Sequence, residues 1–365
     1  MRGLVAAMAA AVVALGAPRV WAMDFVITPG PALAANPAAV AALDRAAAAW
    51  SNAFSDDITV NISAGFGTFS NPAVIGNTAA VKFQSPYDFF RGYLMASAAV
   101  EPDDGVVAFL PTAAQFHATL PAGFTFSNKF IATKANFKAL GFGSAIDLDQ
   151  VYGANDATIT FNSNFAFDYD SSNGVDADKI DFQSVATHEI GHALGFISSV
   201  DTVDFDKHAG TTTDLIITPL DLFRFQDNVA GKDPATNADF TNDPRYLDTG
   251  GSAIFDDLAL ERAMSTGTFT GDAREASHWK DDGYTGQLLG VMDPSMSFGV
   301  AESVSANDVR ALDLIGYDAV PEPAPVVVAA LAMAPMLLAR LKPSSNRRRR
   351  LTEPTPRGRP GGRPS

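Results

Sequence analysis

The sequence contains no cysteine, which excludes a disulfide framework, a thiolate nucleophile and a thiolate metal ligand. A zinc site in this chain has to be built from histidine, aspartate or glutamate. Histidine is also scarce, with five in 365 residues, so a site that uses three of them takes most of the supply. Basic residues are few outside the termini. Arg2, Arg19 and nine basic residues after position 339 lie in terminal segments, which leaves 15 basic against 39 acidic residues between positions 23 and 320. A surface with that imbalance repels phosphate backbones and suits cations, so no nucleic acid partner is expected. No internal repeat and no linker interrupts positions 23–318. At 47% hydrophobic and 18% charged residues, the chain is long enough to bury a large core and is not a disordered sequence.

The two ends read as targeting segments. Residues 1–22 begin with a basic residue, continue with an apolar run at 3–17 and finish in Val20, Trp21 and Ala22, the pattern of a secretory signal peptide removed by signal peptidase. Its apolar run is shorter than the ~20 residues that a bilayer span requires. At the other end, residues 319–350 carry Pro321, Glu322 and Pro323, an apolar stretch at 324–339, and then Arg340, Lys342 and arginines at 347–350. The positive-inside rule holds such arginines in the cytoplasm. That order of parts resembles the PEP-CTERM sorting signals of Gram-negative bacteria. The resemblance implies cleavage by an exosortase-like membrane enzyme, transient membrane contact through this segment, and export across the inner membrane to a secreted, envelope or matrix location. A basic tail, 351–365, extends past the arginines where such signals usually stop. An ordinary C-terminal anchor is the alternative.

Between the ends, residues 23–180 alternate helical and strand patterns. An asparagine cap and alanine-rich periodicity predict a helix over 36–56, and Ile58, Val60 and Ile62 alternate with polar neighbours as a half-buried strand does. A second helical stretch covers 88–99, the apolar "GVVAFLP" reads as a strand, and "DATITFNSNFAF" from Asp156 gives another alternating strand. The expected fold class is therefore α+β, a mixed sheet with helices. Residues 181–318 follow as the second part of the same domain, with an irregular, Asp-, Thr-, Asn- and Gly-rich insertion at about 199–275.

The stretch "VATHEIGHALGFISSVD", residues 185–201, carries the chemistry. A helix starting near Asp181 places Phe182, Ala186, Ile190, Ala193 and Ile197 on one buried stripe. His188 and His192, four apart, then stand one turn above the other and can reach a single metal ion. Glu189, next to the first ligand, is placed to act on water at that ion. Gly195 allows a sharp exit from the helix. The third ligand is not in the motif: position 198 is a serine, a poor zinc ligand. Asp201 and His208 lie in the following loop, and Glu261 is the first glutamate after 189; chemistry alone leaves all of them open.

Further on, Ser277, His278 and Trp279 precede Val291, Met292, Asp293 and Pro294. The pairing of "SHW" with a methionine-bearing turn resembles the leishmanolysin-like metzincins, zinc metalloproteases in which a long insertion separates the glycine from the third histidine. The resemblance covers about 156–318 and implies a zincin-type fold, His278 as third ligand, Met292 in a Met turn beneath the metal, and a closing helix. The last is also read from the residues: Ser305 and Asp308 form a capping box, with Val309, Leu312 and Ile315 on one face. Without cysteine, the thiolate latency switch of parts of that superfamily is excluded, and leishmanolysin's additional C-terminal domain is not expected.

These readings predict an exported zinc endopeptidase with one catalytic Zn2+ on His188, His192 and His278, and with Glu189 as general base toward a protein or peptide substrate. The strand "ATITFNSN" is expected to be the edge that an extended peptide pairs with. A non-catalytic surface or matrix protein that keeps the fold, and a zinc hydrolase of a non-peptide amide, are the alternatives. Calcium is a further candidate ligand for Asp168, Asp170, Asp176 and Asp178, although their spacing matches no known loop pattern and a solvated acidic loop accounts for them as well.

Overall fold

In this computed structural model, residues 23–321 are described; the expected signal peptide, nearly all of the sorting segment and the basic tail lie outside the described residues. Alternation of Val60, Ile62 and Ala64, all buried, turns residues 59–67 into a strand with one face on the core. This strand, β2 (Thr59–Gly67), runs parallel to β1 (Asp24–Pro29) and to β4 (Ala157–Asn162), while β3 (Gly76–Ala80) closes the sheet antiparallel to β4. The order is β1-β2-β4-β3. The expected edge strand is therefore central. Ala157, Ile159, Phe161 and Asn162 are all buried, on a strand that pairs with β2 on one side and β3 on the other, and β3 supplies the edge instead.

Two helices cover this sheet. Asn36 caps Pro37–Ser51 by accepting from the Ala39 N–H at 3.2 Å, and Asp181 caps the motif helix, Phe182–Leu194, through the Ser184 N–H at 2.9 Å. The Trp50 indole crosses between them, its Nε1 donating to the Thr187 carbonyl at 2.9 Å. Phe182, Ala186, Ile190 and Ala193 are fully buried as the stripe requires. Ile197 is not part of it, because the helix stops at Leu194 and Gly195 takes φ +121°. The predicted helix near 88–99 forms over Tyr87–Ala98. The apolar "GVVAFLP" is a 3-10 turn over Gly105–Phe109 rather than a strand, since the Val107 N–H turns back onto the Asp104 carbonyl.

The insertion is regular where the sequence suggested irregularity. Helix Val200–Ala209 leads into strand Asp214–Ile217, parallel to Thr125–Thr133, and Arg224–Gln226, Ala253–Asp256 and Glu261–Met264 form an antiparallel three-stranded sheet. Several of its polar residues are internal. Arg224, fully buried, donates to the carbonyls of Tyr246, Ser265 and Ala276, so three separate stretches converge on one guanidinium. The fold is mixed α+β, and the described residues up to Val320 cluster as one unit. Among the described residues no helix is long and apolar enough to cross a membrane.

Candidate metal centre

Helical spacing brings the Nε2 atoms of His188 and His192 to 3.1 Å from each other. The chain then leaves at Gly195, traverses the insertion and returns His278, whose Nε2 lies 3.1 Å from that of His188 and 3.2 Å from that of His192. Each ring is fixed from behind. His188 Nδ1 is 2.7 Å from the Val291 carbonyl, His192 Nδ1 is 2.8 Å from the Phe196 carbonyl, and His278 Nδ1 is 3.1 Å from the Glu275 carbonyl. A carbonyl only accepts, so each Nδ1 carries the proton and each Nε2 presents a lone pair. Burial also keeps the rings neutral: it pushes His188 down to about 4 and His192 to about 3, and holds His278 well below the usual range.

Three lone pairs pointed at one spot repel each other unless a cation sits there. Tetrahedral zinc with Zn–N of about 2.0–2.1 Å separates its nitrogens by about 3.3–3.4 Å, close to the observed triangle. Carbonyl partners behind each imidazole are the usual outer support of such a site. The donor set thus fits Zn2+ once the triangle widens by about 0.2 Å.

Glu189 lies beside this triangle, 5% exposed. Its Oε2 accepts from the Thr78 hydroxyl at 2.7 Å, and the Glu189 carbonyl lies 2.8 Å from the same oxygen. Burial pushes the carboxyl up to about 8 against that hydrogen bond; a cation on the three imidazoles would act in the opposite direction. A Cβ built on Gly76 would overlap Glu189 Oε1, so glycine at 76 is what lets β3 lie against the carboxylate. Neither Gly76 nor Thr78 stands out in the sequence, because "GNTAA" has no apolar alternation.

Beneath the site, Met292 is fully buried and its sulfur packs on Gly191. The turn that carries it is tied to the segment of the third histidine by the Trp279 N–H, which donates to the Met292 carbonyl at 3.0 Å. The capping-box residue Asp308 has a second task unforeseen from the pattern. Fully buried, it accepts from Trp279 Nε1 at 2.7 Å, the Val291 N–H at 2.9 Å, the Met292 N–H at 3.3 Å and the Ser305 N–H at 2.7 Å. The closing helix, Ala306–Asp313, is thereby joined to the turn.

The alternative third ligands lie elsewhere. Asp201 spends both oxygens on Ala276 and Ser277, and His208 stacks on Phe269 with ring centroids 4.4 Å apart. The four aspartates considered for calcium do not converge. Asp168 accepts from the Asp170 and Asp176 N–H groups, Asp170 from Ser172, and Asp176 pairs with Lys179, so three of them are occupied in ordering their own loop. An open cleft of about 660 Å³ runs over the site, with β3 and Lys82 in its lining together with Arg274, Glu275 and residues 293–296. Compared with protein-family models, with curated proteins and with solved structures, the chain matches none.

Proposed function

We propose that this chain is an exported zinc-dependent endopeptidase of the metzincin type, with His188, His192 and His278 holding the metal and Glu189 as general base. The observation that carries the reading is the triangle of three Nε2 atoms beside a buried glutamate, open to a cleft whose side is a sheet edge. When bound, zinc supplies Lewis acidity, lowering the pKa of a water toward about 7 and polarising a scissile carbonyl.

The chain's own residues supply the rest. Glu189 accepts the proton of the attacking water on its carboxylate and returns it to the leaving nitrogen. Thr78 holds Oε2, which fixes the carboxylate's direction. Strand β3 pairs with β4 alone among the described residues, so its outer edge is available to add hydrogen bonds to an extended peptide. Val185 and Met296 bring apolar surface to the cleft and Arg274, Glu275 and Lys82 bring charge, a lining suited to a side chain on either flank of the bond. Helix, Met-bearing turn and closing helix follow the order that the leishmanolysin-like resemblance implies. In this reading the signal segment and the PEP-CTERM-like segment deliver the enzyme to the envelope or beyond, and both are removed.

Metal analysis and cleavage of a peptide library by the purified chain test the proposal. One zinc per chain is expected, with hydrolysis abolished by a chelator and restored by added zinc. Glu189→Ala is expected to keep its zinc and lose about 100-fold or more in turnover. Activity that persists in a metal-free preparation would overturn the reading.

A further inference from the structure

The third imidazole is the least secured of the three by its own backbone. His188 and His192 share a helix, whereas His278 arrives across the insertion, and its carbonyl partner is the most distant at 3.1 Å. Something outside residues 275–278 has to fix that segment. The relevant contacts begin at Ser198, the position where a compact metzincin motif would carry its third histidine. The Ser198 N–H donates to Ser277 Oγ at 2.8 Å, bridging 79 positions. Ser277 Oγ, having accepted there, donates its one proton to Asp201 Oδ2. The same Asp201 carboxylate accepts from the Ser277 N–H at 3.2 Å and, through Oδ1, from the Ala276 N–H at 2.6 Å.

Asp201 in turn has a fixed base. It lies in the first turn of helix Val200–Ala209, and the residues just before that helix are clamped by buried Asp221, which accepts from Ser198 Oγ at 2.6 Å and from the Ser199 N–H at 3.0 Å. A continuous set of hydrogen bonds therefore runs from the exit of the motif helix to the residue preceding His278. We infer that Asp201 is a positioning residue for the metal centre: with Ser277 and the Ser198 N–H it forms a latch that docks the returning segment onto the exit of the motif helix and so sets the place of His278. The inference rests on the reading of His278 as a ligand. It assigns to residue 201 a role in ligand placement rather than in ligation.

The chemistry makes the latch specific to a carboxylate. Its three partners are all donors, and an amide of the same shape would turn an NH2 toward at least one of them. Asp201→Asn preserves volume, so a residue that only filled space would tolerate it. The test is zinc affinity, measured on the full chain by competition with a chelating dye, with the visible spectrum of the cobalt-substituted protein as a second readout of ligand geometry. Asp201→Asn is expected to weaken zinc binding by about 10- to 100-fold, the scale for losing an outer support of a metal ligand, and to change the cobalt bands. Ser277→Ala, which keeps both N–H bonds, is expected to weaken it by less and decides the matter if Asp201→Asn does not fold. His208→Ala, on the same helix and outside the latch, is expected to leave affinity and spectrum unchanged. Wild-type affinity and spectrum in Ser277→Ala and in folded Asp201→Asn, together with loss of zinc in His278→Ala, would overturn the latch and leave the metal centre standing. Wild-type zinc affinity in His278→Ala would overturn both.

Discussion

The sulfur of Met292 occupies the space that a side chain on Gly191 would need. A Cβ built at 191 would overlap that sulfur and stand 3.3 Å from Cζ2 of Trp50. The glycine between the two motif histidines is thus a packing requirement, by which the floor of the site reaches the helix that carries two of the three clustered histidines.

This fixes the sign of a substitution that helix propensity alone would get wrong. Alanine is a better helix former than glycine by about 1 kcal/mol, so at an open position Gly191→Ala would stabilise. Here the methyl has to displace the sulfur and the indole, and overpacking of this kind costs about 1–3 kcal/mol. Met292→Leu conserves volume and is expected to cost less than about 1.5 kcal/mol. Denaturant midpoints check both. A more stable Gly191→Ala protein would show that Met292 is not seated there.

Thr78 offers a similar test at the carboxylate. Thr78→Val removes the hydroxyl from Glu189 Oε2 at nearly constant shape, and a hydrogen bond to a charged group is worth about 1.5–3 kcal/mol. A fall in kcat of about 10- to 100-fold is expected, with KM and zinc content little changed, and Thr78→Ser should recover most of it. Gly76→Ala, whose methyl meets Oε1, should lower kcat in the same way. Loss of zinc in either protein would mean that the strand supports the ligands rather than the base.

Parts of this site are legible in the sequence for a physical reason. The i,i+4 spacing of His188 and His192 has one meaning on a helix, and Asp181 and Gly195 mark where that helix starts and stops. The return of His278 is not encoded locally. It depends on the insertion, whose order comes from buried Arg224 and Asp221 and part-buried Asp201, and these look solvent-facing in a sequence. The edge of the sheet is misjudged for a related reason: alternation over 157–162 reports which face is buried and is silent about neighbours, while the true edge, Gly76–Ala80, has almost no apolar side chains to signal a strand. Asp308 shows a pattern read correctly but incompletely, since a capping box explains only its bond to Ser305.

That incompleteness leads to a measurement. Every oxygen of the Asp308 side chain faces N–H donors from Trp279, Val291, Met292 and Ser305. Asp308→Asn would set an NH2 against them, leaving buried donors unsatisfied at about 1–3 kcal/mol each. A loss of more than about 2 kcal/mol is expected. Trp279→Phe removes one donor and leaves the others paired, so it should cost less than Asp308→Asn in the same unfolding experiment. The reverse order would mean that the indole's packing outweighs the carboxylate network.

The acidic balance of the chain predicts where its stability lies on the pH scale, and Asp56 isolates the effect away from the candidate metal centre. Asp56 is 5% exposed and accepts from the Asp318 N–H at 3.1 Å. Burial, with the nearby charges of Asp318 and Asp313, pushes its carboxyl up to about 7. The folded state therefore binds this proton more tightly than the unfolded chain, whose aspartates titrate near 3.9. By linkage, the contribution of the protonated group is fully present below about pH 4 and is lost as pH rises through about 7. Asparagine mimics the protonated form and keeps an oxygen for the Asp318 N–H. Asp56→Asn should thus raise stability clearly more at pH 8 than at pH 4.5, where the folded wild-type residue still holds its proton and the cost is limited to about 1 kcal/mol from ionisation in the unfolded chain. Urea denaturation of the metal-free proteins at the two pH values separates this from zinc loss in acid. Equal effects at both pH values would show that the carboxyl is ionised throughout and that its burial is compensated by partners other than Asp318.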